Sequence, residues 1–120
     1  MRFEHAELNH ADKTEFADPG SGRFYFITSH RYGARAFYLV QIAAKQSESS
    51  LPLLIDIPEL ESARLNLEEA RDFCERLETQ LSASQLALNG HLSIEQVLLA
   101  ASILASEFAN RNVNRVARPR

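Results

Sequence analysis

Apolar positions follow two regimes along the chain. From residue 23 to 57 they come in short aromatic and β-branched runs, and from 66 to 108 they recur every three or four residues. The first pattern predicts strands and the second predicts helices. Phe24-Tyr25-Phe26-Ile27 predicts a strand over Arg23–Thr28, because these are strong β formers. Phe37, Tyr38, Leu39, Val40 and Ile42 predict a longer strand over Arg35–Ala44, with Ser29–Gly33 as the hairpin loop between the two. Leu51–Ile57 predicts a third strand, and Pro52 near its start confines it to an edge or entry position. Residues 2 to 8 alternate weakly, as a fourth, edge strand would. Residues 9 to 22 are polar and end in Asp18-Pro19-Gly20-Ser21-Gly22, a turn by composition, while Lys45–Ser50 reads as a polar loop.

The helical half carries explicit start signals. Asn66-Leu67-Glu68-Glu69 has the form of a capping box, and Leu67, Ala70, Cys74, Leu77 and Leu81 then make one apolar stripe. Glu68, Asp72, Glu75 and Glu78 are assigned to the outer face of that helix. Ser93-Ile94-Glu95-Gln96 is a second box, with Leu92 and Val97 placed as a hydrophobic staple. Ile94, Val97, Leu98, Ala101, Leu104, Ala105 and Phe108 form the main face of the second helix, which Leu99 and Ile103 widen beyond a stripe. Asn89-Gly90 fits either a hairpin turn or a helix stop with Gly90 left-handed, and the box just after it favours the stop. The predicted fold is α+β: an antiparallel β meander of three to four strands followed by two α-helices packed on one face. Residues 1–110 form a single domain on this reading, and 111–120 an Arg-rich C-terminal tail. The apolar excess on the second helix predicts central burial or a homodimer through the 94–109 helix.

Composition narrows the class without naming a reaction. A chain of 120 residues suits one domain, and 45% hydrophobic with 24% charged residues is ordinary for a globular protein. Cys74 is the only cysteine, so no intramolecular disulfide forms. With no apolar signal core in Met-Arg-Phe-Glu-His and no long apolar run, the expectation is a cytoplasmic protein away from membranes. The net charge of −3 hides a strong sorting of sign. Residues 19–47 hold Arg23, Arg31, Arg35 and Lys45 with no acid, residues 48–110 hold eleven acids against three arginines, and the last ten residues hold four arginines. Such sorting gives a directional field that governs partner choice and encounter rate.

Local constellations offer little catalytic chemistry. His5 and His10, with Glu7 and Asp12, are metal-ligating types, but their spacing fits neither one helix face nor one strand face. Gly20-Ser21-Gly22-Arg23 is a poor phosphate cradle, because its glycines lead into a strand instead of a helix N-terminus. Asp56, Glu59 and Glu61 are placed as nuclease carboxylates are, yet no lysine follows them. Cys74 sits on an apolar stripe, where a thiol is inert packing, and there is no Gly-x-Ser-x-Gly elbow. His30 and His91 lie in predicted turns without identifiable partners, and Gly90 lacks the neighbours of a helix-turn-helix. No cofactor or metal is expected, which leaves an enzyme with a dispersed site as the weakest of three readings.

The basic block is the remaining candidate. Arg23, Tyr25, Arg31, Tyr32, Arg35 and Tyr38, with Arg111, Arg115 and Arg118 of the tail, are the expected binding residues. The leading expectation is a small non-enzymatic binding or regulatory protein acting through a charged protein–protein interaction surface. Inhibitors of phage or mobile-element type belong to this class. The alternative is a nucleic-acid-binding accessory protein, in which the aromatics of the hairpin stack on bases and the arginines take phosphates.

Overall fold

The computed structural model describes residues 1–6, 14–45 and 49–117. It contains β1 (Glu4–Ala6), β2 (Thr14–Ala17), β3 (Phe24–Tyr32), β4 (Arg35–Ala44) and β5 (Leu53–Asp56), followed by α1 (Leu60–Ala63), α2 (Leu67–Leu88) and α3 (Ile94–Ala117). The strands pair in the order β1-β2-β3-β4-β5, every neighbour antiparallel. The α+β meander followed by helices is therefore what forms, with five strands in place of three or four and one extra short helix.

Strand parity sets the two faces of the sheet. Tyr25 pairs with Ile42 and Ile27 with Val40, so these four share a face, and all four are buried. Ala17 and Ile55 extend the same face onto β2 and β5. Against it lies the stripe of α2, where Ala70, Phe73, Cys74, Leu77 and Leu81 are buried. Each large side chain so buried contributes roughly 1.5–3 kcal/mol. Helix α3 does not lie on the sheet; it packs on α1 and α2. Its inward residues Val97, Ala101, Leu104, Ala105 and Phe108 are buried, and Phe108 meets Phe73 edge-on at 5.5 Å.

Both capping boxes form. The Asn66 side chain accepts from the Glu69 amide at 2.8 Å while Glu69 accepts from the Asn66 amide at 3.1 Å. Ser93 and Gln96 exchange the equivalent pair at the start of α3. The stop of α2 is an αL cap, but the left-handed residue is Asn89 (φ 55°) and not Gly90. Asparagine tolerates that region through its short polar side chain. The Asn89 and Gly90 amides donate back to the carbonyls of Leu86 and Gln85 and close the helix end.

Several expectations need correction. Thr14–Ala17, read as part of a polar turn, is a strand. Its single aromatic gives little sequence signal, and Glu15 is held from outside the sheet by a two-pronged ion pair from Arg71 on α2. The β3–β4 turn sits at Gly33–Ala34 (Gly33 φ 65°), so His30–Tyr32 belong to β3 and not to a loop. Residue Glu78, assigned to the outer face of α2, is buried. Helix α3 continues past Asn110 to Ala117, where a loose tail was expected. The Asn112 amide donates to the Ala63 carbonyl at 2.6 Å, which ties this part of the helix to α1, while Arg111 lies over the Phe108 ring of its own helix at 4.7 Å. Leu99 and Ile103 are 63% and 56% exposed in the single chain, so of the two expectations for this helix central burial does not apply to them.

The capping geometry gives a direct test. Asn66→Ala removes the acceptor of the Glu69 amide and is expected to cost about 1 kcal/mol, read as a lower denaturant midpoint with unchanged slope. Cys74 gives a second. Burial raises its thiol pKa far above the ordinary range, with Glu75 adding to the rise. Native protein should therefore label with thiol reagents far more slowly than denatured protein; fast stoichiometric labelling of the native state would contradict the packing.

Candidate functional site

The expected binding residues do not form one surface. Arg23 and Tyr25 point into the interface between sheet and helix, at 5% and 0% exposure. Tyr38 lies on the same face further along β4 and is half-buried, its amide donating to the Leu65 carbonyl at 3.0 Å. Arg31 and Arg35 flank the β3–β4 turn and are exposed. Arg111 is exposed at the far end of α3, over Phe108. The backbones of Tyr32 and Arg115 are placed in β3 and α3, but their side chains lie outside the described set, as does the whole of Arg118. Of the metal-type cluster, His5 is in β1, while Glu7, His10 and Asp12 lie outside the described residues. No group of three or more metal-ligating side chains occurs among the described residues. Among them, too, no helix is long and apolar enough to cross a membrane.

Arg23 and Tyr25 belong to a buried polar network. The Arg23 Nε and one Nη donate to the two oxygens of Glu78 at 3.0 and 3.1 Å, a fork-to-fork pair. Arg23 also donates to Gln85 at 2.8 Å and Ser82 at 3.3 Å. Ser82 and the Tyr25 hydroxyl donate to Glu78 at 2.7 and 2.8 Å. Burial pushes the Glu78 carboxyl up, but the hydrogen bonds from Arg23, Ser82 and Tyr25 outweigh it and hold the group below its ordinary value. Burial, reinforced by the neighbouring Glu78 charge, raises the Tyr25 hydroxyl well above its ordinary range, so it stays protonated and donates. This network closes its own charges and has a structural role. A sequence signal existed: Arg23 shares parity with Tyr25 and Ile27, and Glu78, Ser82 and Gln85 fall at i, i+4 and i+7 on α2.

The open surface lies on the other side of the sheet, which no helix covers. Phe16, Phe24, Phe26, Phe37, Leu39 and Leu54 share this face by register. Phe16 stacks on Phe24 at 5.9 Å and tilts against Phe26 at 5.3 Å. His30 stacks on Phe37 at 5.6 Å, and the Arg64 guanidinium lies 4.6 Å over the same ring. An antiparallel sheet with one covered face ordinarily turns polar residues to water on the other, so a row of half-buried aromatics there makes this face the candidate interaction surface.

The open face is graded in character along the strands. At the hairpin end, Arg35, Ala36, Phe37 and Arg64 surround a hollow of about 340 Å³. Arg31 stands at the same hairpin tip but shares the strand parity of Tyr25 and Ile27, and so belongs to the opposite face of β3. Arg64 occupies the left-handed region (φ 52°) as the C-cap of α1, which turns the chain back towards β4. Among the described residues neither Arg31 nor Arg35 has an acid within ion-pair distance. Mid-sheet, a cleft of about 560 Å³ is lined by Thr28, His30, Leu39, Gln41, Asp56 and Glu61, among others. Thr28 Oγ1 and His30 Nε2 are hydrogen-bonded at 2.9 Å, and Gln41 donates to Asp56 at 2.5 Å. The aromatic patch of Phe16, Phe24 and Phe26 follows towards the other end. Within the cleft Thr28 is thus paired with His30 and Gln41 with Asp56, and among the described residues no nucleophile is hydrogen-bonded to a base that a third group orients.

The buried pair yields a prediction in stability. Arg23→Ala leaves the Glu78 charge buried and is expected to cost about 3–5 kcal/mol. Replacing both partners by apolar residues should recover most of that loss. Because the folded pKa of Glu78 is depressed, its contribution is present above the unfolded value of about 4.5 and is lost as pH falls through the folded value. Glu78→Gln should therefore flatten the acid limb of stability against pH, measured by denaturant melts between about pH 2 and 6. Beyond this geometry there is no external guide to function: no family model, curated protein or solved structure matches the chain.

Proposed function

We propose that the protein is a small non-enzymatic binding and regulatory module, of the inhibitor class, that captures an acidic protein surface on its open sheet face. One observation carries the reading: the face left uncovered by the helices carries an aromatic patch towards one end and the arginines Arg35 and Arg64 at the hairpin end. Half-buried rings supply contact area at little entropic cost, because they are already stacked on one another. Arg35 and Arg64 on this face, with Arg31 at the same hairpin tip, supply attraction for carboxylates, and such complementary charge raises encounter rate and fixes orientation more than it adds affinity. The acidic outer side of α2, with Glu68 and Glu75 exposed, lies on the opposite layer and repels an acidic partner from the wrong face.

Nucleic acid is the second reading, and the ring pair Phe24 and Phe26 on the central strand favours it, since bases stack on such platforms. Charge decides between the two. A single strand needs cations along its track, but this face places Glu4 opposite Phe16, and Asp56 and Glu61 at the cleft. Cations are gathered at one end only, which fits a localised acidic patch on a protein better than a run of phosphates.

The test is a pull-down with tagged parent and with the Arg31→Glu/Arg35→Glu variant, followed by binding kinetics on the protein recovered. The variant is expected to fold as the parent does and to associate at least about tenfold more slowly at low salt, with the difference shrinking as salt rises. Labelled single-stranded DNA and RNA, titrated in parallel, should bind only weakly. Tight, salt-steep nucleic-acid binding that the same variant abolishes would replace the protein partner with the second reading.

A further inference from the structure

A cavity on the opposite side of the sheet from the open face has a donor set that no part of the proposed interface uses. It lies where the strand and helix ends meet: Ser21, Gly22 and Arg23 enter β3, Ala44 and Lys45 leave β4, Gln85 comes from α2, and His91, Leu92 and Val97 come from the approach to α3 and its first turn. Its volume is about 290 Å³, at the lower end of small-ligand sites.

The hydrogen-bond inventory of this wall is lopsided. Arg23 has five N–H groups, and four are spent on Glu78, Ser82 and Gln85. The Gln85 carbonyl oxygen is consumed as the acceptor of Arg23, which leaves its amide nitrogen, a donor, for the cavity. Lys45 is exposed, and among the described residues it has no acid within ion-pair distance. The Ser21 hydroxyl is sealed from solvent and has no partner. One step of its single side-chain torsion re-aims the hydroxyl, and a ligand offering an acceptor would repay the change. No carboxylate lines the cavity among the described residues; Glu78, the nearest through Arg23, is already saturated. Ser93 caps α3 with its own side chain, so the helix end is not the attracting group. Ala44, Leu92 and Val97 make the remaining wall apolar.

Beside the His91 ring and the Ser21 hydroxyl, which can donate as well as accept, the side-chain groups left over are N–H donors and one cation with no carboxylate; that balance favours an anion, and the apolar wall favours one with a short hydrocarbon body. We propose that this cavity binds a small organic oxyanion, a carboxylate or a phosphate monoester, held by Lys45, the remaining Arg23 and Gln85 N–H groups and the Ser21 hydroxyl. The site is independent of the hairpin arginines on the open face.

The probes are butyrate, butyl phosphate, inorganic phosphate and chloride at matched ionic strength. Each is titrated into the full chain while backbone amide resonances are followed. Saturable shifts at Ser21, Gly22, Lys45 and Leu92 with butyrate or butyl phosphate are expected, with the tighter of the two naming the headgroup. Lys45→Ala and Ser21→Ala should each weaken binding by about tenfold while the unbound spectrum stays that of a folded protein. Lys45 is exposed, so its replacement leaves the fold intact even if Ser21→Ala does not. Inorganic phosphate should bind more weakly than its butyl ester, since it cannot use the apolar wall. The proposal is overturned if chloride reproduces the shifts, if shifts appear only at Arg35 and Arg64, or if Lys45→Ala binds as the parent does.

Discussion

The buried ion pair between Arg23 and Glu78 is the constraint on which the rest depends. It links Arg23, the residue that enters β3, to the fourth turn of α2, and so ties the helix to that end of the sheet. A charge removed from water costs several kcal/mol unless it is paired and its remaining hydrogen-bonding capacity is used. Here Tyr25 and Ser82 complete the shell of Glu78, and Gln85 takes a further Arg23 proton. Apolar contacts such as Ile42 against the α2 stripe tolerate sliding by a residue or so, whereas a two-pronged charge pair does not. The pair therefore specifies the register of the two layers more than it adds net stability.

Once that register is set, the molecule has one covered sheet face and one open one. Helix α3 adds a layer on α1 and α2 without reaching the sheet. The aromatics of odd and even strand positions thus meet different fates. Tyr25 is locked into the core, while Phe24 and Phe26 on either side of it make up part of the outer surface. The positive charges divide in the same way. Arg23 is neutralised inside, Arg31 and Arg35 stand at the hairpin tip, and Lys45 borders a cavity at the opposite end of β4. A basic block that is continuous in sequence becomes three separate electrostatic environments.

That division keeps the two proposed sites apart. The open face is shallow and graded, suited to a surface. The cavity beside Arg23 is bounded by the ends of both layers.

The sequence by itself determined the elements with strong local chemistry. Both capping boxes, the α2 stripe through Cys74 and Leu81, the β3–β4 hairpin and the edge position of β5 follow from residue type and spacing, because capping and periodicity act within a few residues. Strand β2 was not legible, since Glu15 is held by Arg71, 56 residues away, and not by local propensity. The fate of Arg23, Tyr25 and Glu78 was decided by tertiary structure as well. Parity places Arg23 and Tyr25 on one strand face, and spacing places Glu78 beside the α2 stripe, but which sheet face the helices cover depends on long-range packing across 55 residues. Charge sorting along the chain was plain from the outset; whether a given cation meets water, a carboxylate or a cavity is settled only when the layers close.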